Sequence, residues 1–233
     1  MSGVGVGVDA CPYGWCATKV AGDTVTIDLV NKFEEIPDQY TEEPIFVDIP
    51  IGLPVSNRRR CDVIAKDLLG CRGGSVFYTI CEAAVDIDDY DRAKVVHEKN
   101  IGHGLSQQAF NIRPKIREVR VVVDDSYNGR IRESHPELCF YHFNQQPIAY
   151  SKSSERGRQM RLALLESEVE DARPTYQEVV EERYRKEVRK DDILDSIALA
   201  IAACGEDFFT TPKNPDHDES RIHYPRTKIS LLE

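Results

Sequence analysis

Gly3-Val4-Gly5-Val6-Gly7-Val8-Asp9 is the stretch that decides the fold. Its strict alternation has the period of a β-strand. Val4, Val6 and Val8 fall on one face, and Gly3, Gly5, Gly7 and Asp9 fall on the other. A strand face made of glycine admits the close approach of another backbone. Asp9 ends that bare face.

On its C-terminal side the chain turns at Cys11-Pro12-Tyr13-Gly14 and returns through Trp15 to Val20. Gly22-Asp23 turns it again, and Thr24 to Phe33 continues as a third strand rich in β-branched residues. Three strands with short connections predict an antiparallel meander. Pro44-Ile45-Phe46-Val47-Asp48 reads as a short buried strand ending in a carboxylate, stopped by Pro50 and Pro54.

Ser56 to Gly70 is expected to be helical, and 71–128 to mix helix and loop, with helices over 89–99 and 113–122. Arg130 to Ser134 is expected as a strand, and His135-Pro136-Glu137 as the start of a helix, since proline suits the first helical position. Charged helices are expected over 151–168 and 176–189. The strongest helical pattern runs from Asp192 to Cys204, with Leu194, Ile197, Ala198 and Ile201 as its apolar stripe. Its alanines keep it slim enough for the glycine face of the first strand. The expectation is one α/β domain spanning 1–233, with a mixed central sheet flanked by helices. It carries a mostly helical insertion over about 56–128 and an irregular tail over about 206–233.

The 41% hydrophobic content is ordinary for a globular chain, and no run approaches the roughly 20 apolar residues of a membrane helix. With no signal-like N-terminus, the expectation is a cytoplasmic protein without membrane contact. Seven cysteines lie scattered with no CxxC pair, which speaks against a structural zinc site. The net charge of -10 opposes diffuse binding to polyanions, though local basic patches or bound cations can reverse that locally.

Acidic residues stand at positions where ligands are met. Asp9 and Asp48 end strands, and sites in open α/β sheets form beyond the carboxyl ends of strands. Asp192 and Asp195 are three apart on a helix, hence on one face. Converging carboxylates repel, and Mg²⁺ or Mn²⁺, which prefer oxygen ligands, would offset the repulsion. Blander roles also account for single members: Asp191 or Asp192 as a helix cap, Asp9 in a turn, Asp48 at a strand end, Glu133 on an exposed strand. His135 shares a strand face with Glu133 if the strand continues, and then suits proton transfer; otherwise it caps the helix at Pro136. Arg58-Arg59-Arg60 with Arg72, and Arg113, Lys115, Arg117 and Arg120, are basic runs that suit phosphate contacts or a solvated face balanced by acids. Arg60 and Lys115 are the candidates for substrate phosphate.

Several phrases occur together: Gly7-Val8-Asp9 with Gly14-Trp15, Val47-Asp48-Ile49-Pro50-Ile51-Gly52-Leu53-Pro54, and Glu133-Ser134-His135-Pro136-Glu137. Arg60-Cys61-Asp62, Gly104-Leu105-Ser106 with Gln108, Lys115-Ile116-Arg117-Glu118 and Asp191-Asp192-Ile193-Leu194-Asp195 accompany them. Up to about residue 205 the chain resembles the bacterial and archaeal family of predicted RNase-H-like nucleases of unknown function. The resemblance implies an RNase-H-like fold with Asp9 as the first-strand acid, Asp48 as the fourth-strand acid of resolvase-type members, and Asp192 and Asp195 as the last-helix acids. Glu133 has no counterpart in that pattern. The implied function is a divalent-metal-dependent phosphodiesterase acting on nucleic acid or a nucleotide-like substrate. Asp9, Asp48, Asp192 and Asp195 would hold Mg²⁺ or Mn²⁺, and Glu133 or His135 would relay protons. The alternatives are a non-catalytic nucleic-acid or ligand-binding module, and a phosphotransferase of the sugar kinase and actin superfamily. The second lacks support, since no second half carries another glycine-rich phosphate motif.

Overall fold

A computed structural model of the protein describes residues 3–123, 129–183, 186–205, 207–217 and 219–226. Strands β1 (Val4–Ala10), β2 (Trp15–Ala21) and β3 (Thr24–Val30) form the antiparallel meander. β4 (Ile45–Val47) pairs with β1 in parallel, and β5 (Ile131–Glu133) pairs with β4 in parallel. The order β3-β2-β1-β4-β5 makes a five-stranded mixed sheet with β1 at its centre.

The side-chain period of two sorts the two covering layers. Val6, Val8, Ile45 and Val47 pack on one face with Trp15 and Ala17. That face is covered by α1 (Ile36–Gln39) with its preceding 3₁₀ turn (Phe33–Glu35), and by the helices inserted between β4 and β5 other than the first, whose Cys61, Ala65 and Leu69 pack instead with Leu138 and Ile222. The inserted helices are α2 (Arg60–Leu69), α3 (Glu82–Val85), α4 (Tyr90–Ile101), α5 (Gln107–Asn111) and α6 (Arg113–Val122). A 3₁₀ stretch, Gly70–Ser75, follows α2. The opposite face is covered by α7 (Pro136–Asn144), α8 (Glu155–Glu168), α9 (Ala172–Glu182) and α10 (Lys190–Ala203).

The slim helix meets the glycine face as its alanines predict. A Cβ on Gly3 would lie 2.1 Å from the Cys204 carbonyl oxygen, and one on Gly7 would lie 2.1 Å from the Ser196 carbonyl oxygen. Ser196 adds a polar tie, with its Oγ 2.7 Å from Thr18 Oγ1 on β2.

Three expectations are corrected. β3 ends at Val30, because Phe33 turns inward and packs its ring 4.9 Å from Trp15, edge to face. The charged helix expected over 176–189 is α9 at Ala172–Glu182, and α10 starts at Lys190. The tail is not wholly irregular: β6 (Phe208–Thr211) and β7 (Ile222–Pro225) form an antiparallel ribbon, and Ser134 bridges to His223. No alternation reveals β6, because its aromatics are partly covered on both sides; Phe208 lies 5.0 Å from Phe46 and Phe209 lies 5.9 Å from Tyr224. The end of the expected insertion, 124–128, and positions 206, 218 and 227–233 of the tail lie outside the described residues. All seven cysteines are free thiols, and no helix among the described residues is long and apolar enough to cross a membrane.

Gly7→Ala forces β1 and α10 apart, because the two closest of its three clashing partners, Ser196 O and Ala200 N, are backbone. It should lower unfolding stability by about 3 kcal/mol or more in urea titrations. Gly74→Ala, whose Cβ would meet nothing within 4 Å, should change stability by less than about 1 kcal/mol.

Candidate functional site

The parallel register aligns Val8 with Val47 and Val47 with Glu133. One residue further on, Asp9 and Asp48 therefore stand side by side on the α10 face, where the Asp48 amide donates to the Val8 carbonyl at 3.1 Å. α10, seated on the glycines, contributes Asp195 and Asp192 from its first two turns. Burial, then repulsion from Asp48, Asp195 and Asp192, pushes the Asp9 carboxyl well above the usual range. Burial likewise raises Asp48 and Asp195. Asp192 is pushed up to about 6 by burial, and its Oδ2 accepts from the Arg189 amide at 3.0 Å. Its helix-capping role is thus realised inside the cluster.

Lys152 answers these charges. Its Nζ donates to Asp195 Oδ2 at 2.5 Å and lies 4.0 Å from Asp191 Oδ2. The field of Asp195, with that of Asp9 and Asp48, holds the ammonium firmly protonated. Asp195 is only 1% exposed, and its other oxygen, Oδ1, is buried with no hydrogen-bond partner.

Glu133 belongs to a different cluster. Paired with Val47, it points to the insertion side of the sheet, away from Asp9 and Asp48. Arg59 grips it there with Nη1 to Oε2 and Nη2 to Oε1, both at 2.7 Å, while the Ile51 amide donates to Oε2 at 2.6 Å. Arg59 also binds Asp62 through Nη2 at 2.5 Å. Burial pushes Glu133 up to about 7 against the pull of Arg59. Cys61, Asp62 and Glu133 offer ligand atoms within 4.8 Å of one another, a spacing compatible with a metal. Arg59 already compensates both carboxylates, and burial keeps the Cys61 thiol protonated. Asp9, Asp48, Asp192 and Asp195 supply no triplet that tight, which fits the presence of Lys152 among them.

The expected sharing of a strand face by Glu133 and His135 is not found. β5 stops at Glu133, and His135 becomes the N-cap of α7, its Nδ1 accepting from the Glu137 amide at 3.2 Å. His135 nonetheless bears on the cluster, because it lines the same cavity as Asp48 and Asp195. Glu137 is buried and held by Arg161 at 2.6 Å and by Arg72 at 3.5 Å.

A cavity of about 460 Å³ opens beyond the strand ends, and Asp48, Glu133, His135 and Asp195 line it. Asp9 and Asp192 are not among its lining residues. Arg60 and Lys115 are not brought to it: Arg60 pairs with Glu219 at 3.2 Å, and Lys115 with Glu118 at 3.0 Å. Five charged lining residues were not among the candidates: Arg59, Asp62, Arg72, Glu137 and Lys152. Arg59 and Arg72 stood in a noted basic run, but nothing told the buried arginine from its exposed neighbour. Lys152 lies in a polar loop without periodicity.

The profile of the family described as "Protein of unknown function (DUF429)" matches residues 7–217, and the chain belongs to that family. No curated protein and no solved structure matches the chain.

Two outcomes follow for stability. Arg59→Met strands Glu133 and Asp62 and should cost about 3–5 kcal/mol in urea titrations. The raised carboxyls bind protons more tightly folded than unfolded, so stability is fullest below their ordinary range. It is lost as pH rises through about 6 for Asp192 and about 7 for Glu133. In metal-free buffer Asp9→Asn should therefore raise the urea midpoint at pH 7 and flatten its fall with pH.

Proposed function

We propose that this member of the family is a divalent-metal-dependent phosphodiesterase with an RNase-H-like core, acting on a nucleic acid or a nucleotide-like substrate. The strand order β3-β2-β1-β4-β5 and the acids on β1, after β4 and on the last helix support that assignment. The observation that carries the proposal is Asp195 Oδ1, a buried carboxylate oxygen without a partner at the edge of the cavity. A buried acceptor left unmade is costly, and beside Asp9 and Asp48 it belongs to an all-oxygen donor set. Their oxygen chemistry suits Mg²⁺ or Mn²⁺, and Asp9, Asp48 and Asp195 would hold the ion by drawing closer than they stand with Lys152 among them. Bound there, the ion would supply Lewis-acid polarisation of a phosphoryl oxygen and a more acidic water.

The chain's own groups fill the remaining roles. Lys152 pulls the Asp195 pKa down against the larger rise from burial, and supplies positive charge at the cavity wall. His135 spends Nδ1 on its cap, so in that tautomer Nε2 carries the hydrogen and is the nitrogen left for a substrate. Lys152 also favours a second reading. An internal ammonium already neutralises the acids, as it would in a binding module that has lost the metal.

Calorimetric titration with Mn²⁺ separates the two. Saturable binding by the wild type, weakened at least about tenfold in Asp9→Asn and Asp195→Asn, is expected. Lys152→Met should tighten it by removing the competing cation. Cleavage of a phosphodiester should disappear in the same two Asp variants. A wild type that binds no Mn²⁺ at millimolar concentration leaves the binding module standing.

A further inference from the structure

Five buried side-chain atoms have no hydrogen-bond partner among the described residues, and three of them belong to residues that line the one cavity above. Asp195 Oδ1 belongs to the proposed metal set. The other two are Arg72 Nε and Thr79 Oγ1, and no role yet described uses them. Thr79 is only 3% exposed; its amide is spent on Asp62 Oδ2 at 3.0 Å, while its hydroxyl is spent on nothing. Arg72 is steadied at one end by Glu137, 3.5 Å from Nη2. Its 3₁₀ stretch is pinned by Lys66, whose Nζ donates to the carbonyls of Gly73 at 2.8 Å and Val76 at 2.6 Å. A held guanidinium with an idle N–H, and a buried idle hydroxyl, are donors waiting for an acceptor.

We infer that Arg72 and Thr79 form an anion subsite that takes one phosphate group of a mononucleotide-sized phosphoester. The ligand class rests on the phosphodiesterase reading; the subsite rests on the two orphaned donors. Phosphate suits them because its several acceptor oxygens serve a guanidinium and a hydroxyl at once. Size follows from the cavity, whose volume of about 460 Å³ falls within the roughly 300–1,000 Å³ of small-molecule sites.

Charge outside the cavity argues against a polymer. Nucleic acid binding rests on cations free to meet successive phosphates. Three arginines of the two basic runs are instead paired with acids: Arg60 with Glu219 at 3.2 Å, Arg117 with Asp88 at 2.9 Å, Arg120 with Glu82 at 3.0 Å. The net charge of -10 would repel a strand further.

The test is calorimetric titration of the full chain in metal-free buffer with inorganic phosphate, adenosine 5′-monophosphate and a single-stranded oligodeoxynucleotide. The nucleotide should saturate the wild type, and phosphate should bind more weakly and compete with it. Arg72→Met should weaken both by about tenfold or more, and Thr79→Val by a smaller factor, while Arg60→Met should bind as wild type does. Thermal melts of each variant establish that it is folded, and Arg72→Lys, which keeps the charge without the Nε–H, serves if Arg72→Met is not. Unaltered nucleotide binding in folded Arg72 and Thr79 variants would overturn the subsite, as would no binding by the wild type. Tighter binding of the oligonucleotide, sensitive to Arg60→Met, would overturn the small-ligand assignment. Failure here is distinct from failure of the metal reading: Asp195→Asn should lose Mn²⁺ and keep phosphate, and Arg72→Met should do the reverse.

Discussion

A side chain at position 3, 5 or 7 would lie 2.1 to 2.5 Å from backbone atoms at the end of or along α10, so the last helix rests on bare strand. That contact is tighter than any two ordinary side chains permit, and it fixes the helix in depth and in rotation. Its rotation decides which first-turn and second-turn residues face Asp9. Its depth decides that they do so in a buried, weakly screened setting, where carboxylates influence one another strongly. Were the helix held at the usual distance by larger residues, Asp192 and Asp195 would stand off from Asp9. The acids would then be separate surface charges. The glycines thus act at the site without touching it.

The molecule answers buried negative charge in two different ways, one on each side of the sheet. On the insertion side, Arg59 is almost fully buried and grips Glu133 with two short bonds and Asp62 with more. Such a fork is rigid, and each partner is satisfied. On the α10 side, Lys152 reaches in from a loop, is 38% exposed, and satisfies one of the two oxygens of Asp195. An ammonium on a flexible stem is replaceable in a way that a buried bidentate arginine is not. The first arrangement has the character of scaffold, the second of a place kept ready for exchange. This contrast, more than the number of acids, separates Glu133 from Asp48 and Asp195.

The sheet and its last helix were legible because their determinants are local. Alternation in 3–9, turn residues after it, and the alanine-rich stripe of 192–204 each declare an element and a face. The site was legible only where it borrowed those determinants: Asp9, Asp48 and Asp195 follow from strand ends and helix phase. Glu133 could not be placed, because the face it takes depends on the register of β5 against β4, a pairing across 80-odd residues of insertion. The same holds for Arg59 against Arg60, which differ only in which one the start of α2 turns inward. Lys152 and Arg72 lie in a loop and a 3₁₀ stretch, where no periodicity reports on direction.

An unmade hydrogen bond in a buried setting is a defect in a structure that only has to fold, since hydrophobic replacement is available at little loss. Arg72 and Thr79 both line the same cavity as Asp195, and each keeps a buried polar atom unpaired, which packing alone does not require. Proteins tolerate such local costs where a ligand removes them. The donors Arg72 Nε and Thr79 Oγ1 and the acceptor Asp195 Oδ1 are of opposite kind, so a single ion cannot satisfy all three. An anion at one part of the cavity and a cation at another would satisfy them together, which is the arrangement that the proposed phosphoester and metal would present.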